Sequence, residues 1–95
     1  MIRSIADRET ECVWSGRRSR KLPSDIQQTA RRKLRQLDSI ECLDELRVPR
    51  GNRLEQLKEI RPPRYSIRIN DQWRITFGWS DGGADDVRIE DYHRG

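Results

Sequence analysis

The stretch 65–79, YSIRINDQWRITFGW, restricts what this chain can fold into more than any other part of it. Ile67 and Ile69, then Trp73, Ile75, Phe77 and Trp79, recur at alternate positions, the period of a strand with one buried and one wet face. Opposed residues of an antiparallel pair share a face, so apolar must meet apolar. A loop of Asn70, Asp71 and Gln72 does this by pairing Ile69 with Trp73 and Ile67 with Ile75, whereas a two-residue loop sets Ile69 against Arg74. This register places Arg68 opposite Arg74 on the solvent side, where like charges cost roughly 0.2 to 1 kcal/mol. Two guanidinium groups held that close suit an anion between them. A charged, solvated sheet face is the plainer alternative.

After the turn residues Asp81, Gly82 and Gly83, the segment DDVRIEDYHRG is expected to add a third strand. Val87 and Ile89 continue its apolar face, and Arg88, Glu90 and Tyr92 take the other. Parity then puts Tyr92 on the face of Arg74. Pairing Trp79 with Val87 sets Arg74 and Tyr92 directly opposite each other.

Ninety-five residues make a single domain, 1–95, with one modest core. Hydrophobic residues are 33% and charged residues 38%, so the buried set is small and the surface dense with ions. Five of the six aromatics fall between Tyr65 and Tyr92, which marks the sheet as the core. A net charge of +4 favours an anionic partner: nucleic acid, an acidic protein or an anionic membrane surface. No apolar run approaches bilayer length and MIRSIADRE lacks a signal-peptide core, so a soluble, cytoplasmic protein is expected. Cys12 and Cys42 stand in no metal-binding spacing and His93 is the one histidine, so they read as reduced thiols and no zinc site is expected.

From the start of the chain, residues 2–6 suggest a short strand leading into a helix over 7–14, with Asp7 as N-cap and Cys12, Val13 and Trp14 inward. SGRRSRKLP is a basic loop, either a solvated connection or an edge that contacts phosphates. Ser24 and Gln27 have the form of a capping box. Ile26, Ala30, Leu34 and Leu37 then form one apolar stripe on a helix ending near Asp38, which packs on the sheet. Its other face carries Arg31, Arg32, Lys33 and Arg35, again solvated or bound to nucleic acid. A shorter helix over 40–46 supplies Leu43 and Leu46, and Pro49 and Gly51 end it. Residues 53–58, RLEQLK, read as a strand or turn with Leu54 and Leu57 inside, and Pro62 and Pro63 forbid regular pairing before the hairpin. Helices first and strands last imply an α+β sandwich, two helices covering one face of a small, mainly antiparallel sheet.

GNRLEQLK, SIRINDQWRITF and the terminal EDYH resemble the HigB branch of the RelE/ParE superfamily of bacterial toxin-antitoxin toxins, also called the plasmid maintenance killer family. The resemblance covers essentially the whole chain. It implies a compact RelE-like fold and a ribosome-dependent endoribonuclease that cuts translated messenger RNA without metal or cofactor. It also implies a HigA-like helix-turn-helix antitoxin, contact with operator DNA only through the toxin-antitoxin complex, and no membrane partner. Carried over by position, Arg74, Lys58, Tyr92 and His93 are site residues, and Arg68 matches a basic sheet position common in this subgroup. Arg53, Arg31, Arg32, Lys33 and Arg35 are the expected RNA contacts. Glu55 and Gln56 stand where some family members carry histidine, and Glu59 stands where glycine is usual.

The chemistry implied is economical, because the 2′-hydroxyl of RNA sits beside the scissile phosphate. The protein need only align it, stabilise the charge on the phosphoryl oxygens and move protons. Arg74 and Arg68 are expected to clamp the phosphate and Lys58 to add a point charge. Tyr92 is expected to stack on a base or donate a proton, and His93, with an ordinary pKa near 6.5, to act as acid or base. Two rival readings remain: a ParE-like inhibitor of DNA gyrase, and a non-catalytic nucleic-acid-binding module.

Overall fold

The hairpin demanded by the alternation is present, and the other elements are arranged against it. The computed structural model describes residues 1–91, so Tyr92 and His93, and the face assigned to Tyr92, lie outside the described residues. In chain order come α1 (Arg8–Trp14), α2 (Ser24–Ser39) and two 3₁₀ turns (Leu43–Arg47 and Arg50–Asn52). The strands β1 (Glu55–Leu57), β2 (Arg64–Arg68), β3 (Trp73–Ser80) and β4 (Gly83–Asp91) follow. They form one antiparallel sheet in the order β1-β2-β3-β4. The α+β sandwich expected from the sequence is the architecture found.

Between β2 and β3 the register is the expected one: Ile67 faces Ile75, Arg68 faces Arg74, and the Ile69 amide donates to the Trp73 carbonyl at 2.8 Å. The Asn70 side chain closes the loop, its Oδ1 accepting from the amides of Gln72 and Trp73 at 2.8 Å each.

Between β3 and β4 the expectation fails: Trp79 faces Ala84, not Val87, and Arg74 faces Glu90. The cause is the turn. Asp81 (φ 49°) and Gly82 (φ 76°) both adopt left-handed φ, the signature of a two-residue type I′ turn, and this pairs Ser80 with Gly83. The strand therefore starts at Gly83. Left unbroken, that register turns Asp86 and Arg88 toward the core, opposite Phe77 and Ile75, but a bulge intervenes between Thr76 and Gly78, with Asp86 at φ 50°. The extra residue lets Ala84, Val87 and Ile89 all be buried while Asp86 stays exposed.

The N-terminal arm is not a regular strand. Ile2 and Ile5 form isolated parallel bridges to Ala84 and Val87 along the β4 edge, on either side of the bulge. Asp7 caps α1 as expected, its carboxylate accepting from the Thr10 amide at 2.8 Å. Val13 points inward with Cys12 and Trp14 half-buried, but so does Thr10, whose hydroxyl accepts from the Ile89 amide at 2.9 Å.

The capping box at Ser24 and Gln27 does not form. Pro23 is the N-cap and makes no side-chain cap bond. Gln27 is instead buried and turned backward, its Oε1 accepting from the Ser19 amide at 2.9 Å while its Nε2 donates to the carbonyls of Ser19 (2.9 Å) and Leu22 (2.8 Å). The apolar stripe is as expected: Ile26, Ala30, Leu34 and Leu37 are buried against Ile67, Ile75, Phe77 and the inward residues of β4. Each fully buried aliphatic or aromatic side chain there contributes about 1.5–3 kcal/mol. The shorter helix is a 3₁₀ turn that begins only at Leu43, Ile40 being buried in the extended residue that ends α2. A capping box does form here, with Glu45 accepting from the Cys42 amide at 2.9 Å.

Glu59, in the turn between β1 and β2, has φ 66°. A side chain there costs about 1–2 kcal/mol relative to glycine, offset in part by glycine's greater freedom in the unfolded chain. Glu59→Gly is therefore expected to raise stability by up to about 1 kcal/mol in urea unfolding.

Candidate functional site

The helices cover one face of the sheet, and the other face displays its residues in rows set by strand register. One row runs Glu55, Ser66, Thr76, Arg88 and the next Leu57, Arg64, Gly78, Asp85. A third row holds Arg68, Arg74 and Glu90, and Arg53 lies beside it just before β1. Neighbouring strands are about 4.8 Å apart, so side chains of one row lie within reach of one another.

Arg74 is the hub of the third row, but it is not the exposed clamp expected. It is only 7% exposed, and its guanidinium lies across β2 toward β1. Nη2 donates to the Arg53 carbonyl at 2.6 Å and lies 3.9 Å from the Glu55 carboxylate. Arg68 is more accessible, with 28% of its side chain exposed, and pairs with Asp71 of the hairpin loop. The plain reading of two free arginines facing each other is thus corrected. Arg74 is bound down beneath the surface, and Arg68 stands over it beside a fully solvated carboxylate. The reason is elementary, because like charges in register are relieved by whatever acceptors the neighbouring strand and loop bring near.

The acceptor at Arg53 depends on the 3₁₀ turn before it. Asn52 is fully buried and its Nδ2 donates to the carbonyl of Leu46 and the side chain of Gln36, at 3.1 Å each, while its Oδ1 accepts from Lys33 Nζ. One residue later Arg53 turns left-handed (φ 46°), which aims its carbonyl at Arg74. Asn52 and Arg53 therefore tie Lys33 of α2 to Arg74 of β3. Burial holds the Lys33 ammonium below its ordinary range near 10.5, and Arg32 and then Arg68 add repulsion. Lys33 is thus inside the field of the sheet-face arginines.

The remaining candidates are distributed differently. Lys58 follows β1 at the end where Leu57 pairs with Arg64, so the register sets it about five residues, roughly 17 Å, from the row of Arg68. Arg31 lies toward α1, its Nε donating to the Val13 carbonyl at 3.3 Å, and Arg32 and Arg35 are exposed on α2. An open cleft of about 390 Å³, lined by Ile60, Pro62, Pro63, Arg64 and Trp79 among others, occupies the far end of the sheet rather than the arginine row. Sequence reasoning missed Asn52, and it named Glu55 and Glu90 without pairing either with Arg74. Their place beside Arg74 becomes visible only once β1 and β4 are paired; Glu90 accepts a hydrogen bond from Thr76, which also accepts from Arg64 at 3.1 Å.

Comparison with known proteins decides the lineage. A sequence model of the RelE-like toxin of type II toxin-antitoxin system HigB matches residues 9–93. The chain belongs to the HigB-like toxin family. It is 43% identical over 68 residues to Toxin HigB-1 of Vibrio cholerae serotype O1, an alignment covering 72% of each chain. It is 30% identical over 70 residues to an uncharacterised protein of Haemophilus influenzae, covering 74% of this chain and 69% of that one. As a type II toxin, this HigB-like chain has an antitoxin as its partner. Among the described residues no helix is long and apolar enough to cross a membrane.

The depressed pKa of Lys33 gives a direct probe of the row. In the free protein the folded pKa lies below the unfolded one, so the folded state binds fewer protons there and stability rises with pH between the two values. A phosphate seated between Lys33 and Arg68 reverses the sign of the local field and favours the ammonium. Side-chain NMR titration of Lys33 is expected to show its pKa moving up on saturation with an uncleavable 2′-deoxy oligonucleotide. An unmoved value removes Lys33 from the site.

Proposed function

We propose that this HigB-like toxin is a ribosome-dependent endoribonuclease that cleaves translated messenger RNA, is restrained by a HigA-like helix-turn-helix antitoxin, and meets operator DNA only through that antitoxin. The observation that carries the reading is the arginine row itself: Arg53, Arg68 and Arg74 gathered on one sheet face with Glu55 alongside and Lys33 at its edge. We read residues 1–95 as one toxin domain acting in the cytoplasm, where ribosomes are.

In this reading the 2′-oxygen of the target nucleotide attacks the adjacent phosphorus, forming a 2′,3′-cyclic phosphate, while the bond to the 5′-oxygen of the next nucleotide breaks. The 2′-hydroxyl loses a proton and the departing 5′-oxygen gains one. Arg68 contacts the phosphoryl oxygens, and Arg74 supports it with charge from beneath and by holding Arg53 in place. Glu55, half-exposed and 3.9 Å from Arg74, takes the 2′-proton in this reading. Tyr92 and His93 supply stacking and the proton for the leaving oxygen, and Lys58, displaced along β1, meets a neighbouring phosphate. RNA-guided alignment on the ribosome completes the reaction, because these groups orient the substrate only in part.

Inducible expression with mapping of message ends by primer extension tests the reading. Wild type is expected to yield cuts at defined codon positions in translated message and few in naked RNA. Arg68→Ala is expected to lower cutting roughly 10²- to 10³-fold, the usual cost of one oxyanion-stabilising donor, and Lys58→Ala to cost much less. Arg74→Met should abolish cuts, with a thermal melt confirming that the variant folds. Equal cutting of naked and translated RNA, or inhibition of gyrase supercoiling with no message cleavage, overturns the proposal.

A further inference from the structure

The basic loop before α2 is not a slack connection. Ser19 is 3% exposed, and both its amide and its carbonyl are bound by the side-chain amide of Gln27. Its hydroxyl accepts from the amides of Lys21 and Leu22 at 3.2 Å each and donates to Glu9 of α1. A single buried serine therefore anchors the loop to both helices. On either side of that anchor, Arg17, Arg18, Arg20 and Lys21 are exposed, and none of the four lies within ion-pair distance of a carboxylate among the described residues. Holding like charges together on a rigid loop is unfavourable unless an anion meets them.

The surface around these residues is concave. Two adjoining hollows, of about 480 and 380 Å³, share Arg18 and Ser24 and are lined further by Arg20 in one and by Gln27, Gln28 and Arg31 in the other. Neither contains a carboxylate. A third hollow on the α1 side, which Arg18, Arg20 and Lys21 also line, contains Glu9 and Glu11, so the anion-attracting part is centred on the first two, with Lys21 beside Arg20 on the α1 side.

We propose that Arg18, Arg20, Lys21 and Arg31 form a second anion-binding surface, separate from the sheet-face row, that grips the phosphodiester backbone of a structured RNA without reading its sequence. This rests on the reading of the chain as a toxin acting on RNA in the ribosome. Arg31 and Lys33, two residues apart on α2, leave the helix on roughly opposite sides, Arg31 toward the Val13 carbonyl of α1 and Lys33 toward Asn52 at the edge of the row. The two surfaces thus engage different stretches of nucleic acid. Two absences among the lining residues select the partner. The hollows contain no aromatic residue, and single-strand readers rely on aromatic stacking. Their one large apolar residue, Leu22, packs against the core, whereas protein interfaces are anchored by buried aromatic and aliphatic hot spots. Arginine and lysine contacts to phosphates are what remain.

The test measures binding of a fully paired RNA hairpin at several salt concentrations, independent of cleavage. The triple variant Arg18→Gln, Arg20→Gln, Lys21→Gln is compared with a control of equal charge loss, Arg47→Gln, Arg50→Gln, Arg61→Gln. The first is expected to weaken binding more than about tenfold and to lower the slope of log affinity against log salt by roughly 2 to 3. The control is expected to leave both nearly unchanged. Equal weakening by both triples overturns the proposal, since net charge alone then explains binding. Displacement of the hairpin by polyglutamate as effectively as by RNA also overturns it and assigns the surface to an acidic protein. Because no cleavage is read, a wild type that binds but cuts no message sinks the nuclease reading and leaves this surface standing. A wild type that cuts, with a loop variant that binds normally, does the reverse.

Discussion

The pairing of Ile67 with Ile75 is the constraint from which the functional face follows. Once these two side chains are buried under α2, strand parity leaves no choice but to set Arg68 against Arg74 on the opposite side. Two guanidinium groups in register repel, and the rest of the face is the relief of that repulsion. Arg74 folds flat over β2 to reach the Arg53 carbonyl and Glu55; Arg68 takes Asp71. Glu90 sits opposite Arg74 on the far strand. The acceptors come from three different elements, so the cluster exists only in the assembled sheet.

Helix α2 couples this face to the remainder of the molecule at two places along its length. Its middle carries Lys33 and Gln36 to Asn52, and through the neighbouring Arg53 to Arg74. Its first turn carries Gln27 back to Ser19 and so holds the basic loop. Both couplings use a buried side-chain amide, Asn52 in one and Gln27 in the other, each bound to main-chain groups that have no partner in regular structure. Buried polar groups of this kind stabilise only when fully satisfied, and their directionality fixes which loop conformation is allowed. The apolar stripe of α2 holds the helix on the sheet, and its polar contacts decide what the loops at its edges present.

Where local pattern and observed structure part company, the competing interaction can be named. The Ser24 and Gln27 spacing fits a capping box, but Gln27 satisfies two carbonyls and an amide at Ser19 and Leu22, more than one cap bond offers. The Asp81 and Gly82 pair signals a type I′ turn that starts β4 at Gly83, and counting Gly83 with the turn and pairing Trp79 with Val87 slid β4 by three residues. Lys58 ends GNRLEQLK and shares a resemblance with Arg74, yet β1 runs antiparallel to β2 and carries it away from the arginine row. Asn52 carried no signal of its own, because its partners Lys33, Gln36 and Leu46 are scattered through the preceding sequence.

By itself the sequence determined the elements whose partners lie nearby in the chain: the β2/β3 hairpin and its register, the Asp7 cap, the buried stripe of α2, and the face shared by Arg68 and Arg74. Periodicity and short-range turn chemistry suffice for these, since apolar burial leaves one register open. Tertiary structure alone decided that Arg74 is buried, that Glu55, Glu90 and the Arg53 carbonyl surround it, and that Lys33 joins the row through Asn52 while Lys58 does not. Those outcomes depend on which distant acceptor comes within a few ångströms of a charge. Such distances arise only when strands separated in sequence are laid side by side.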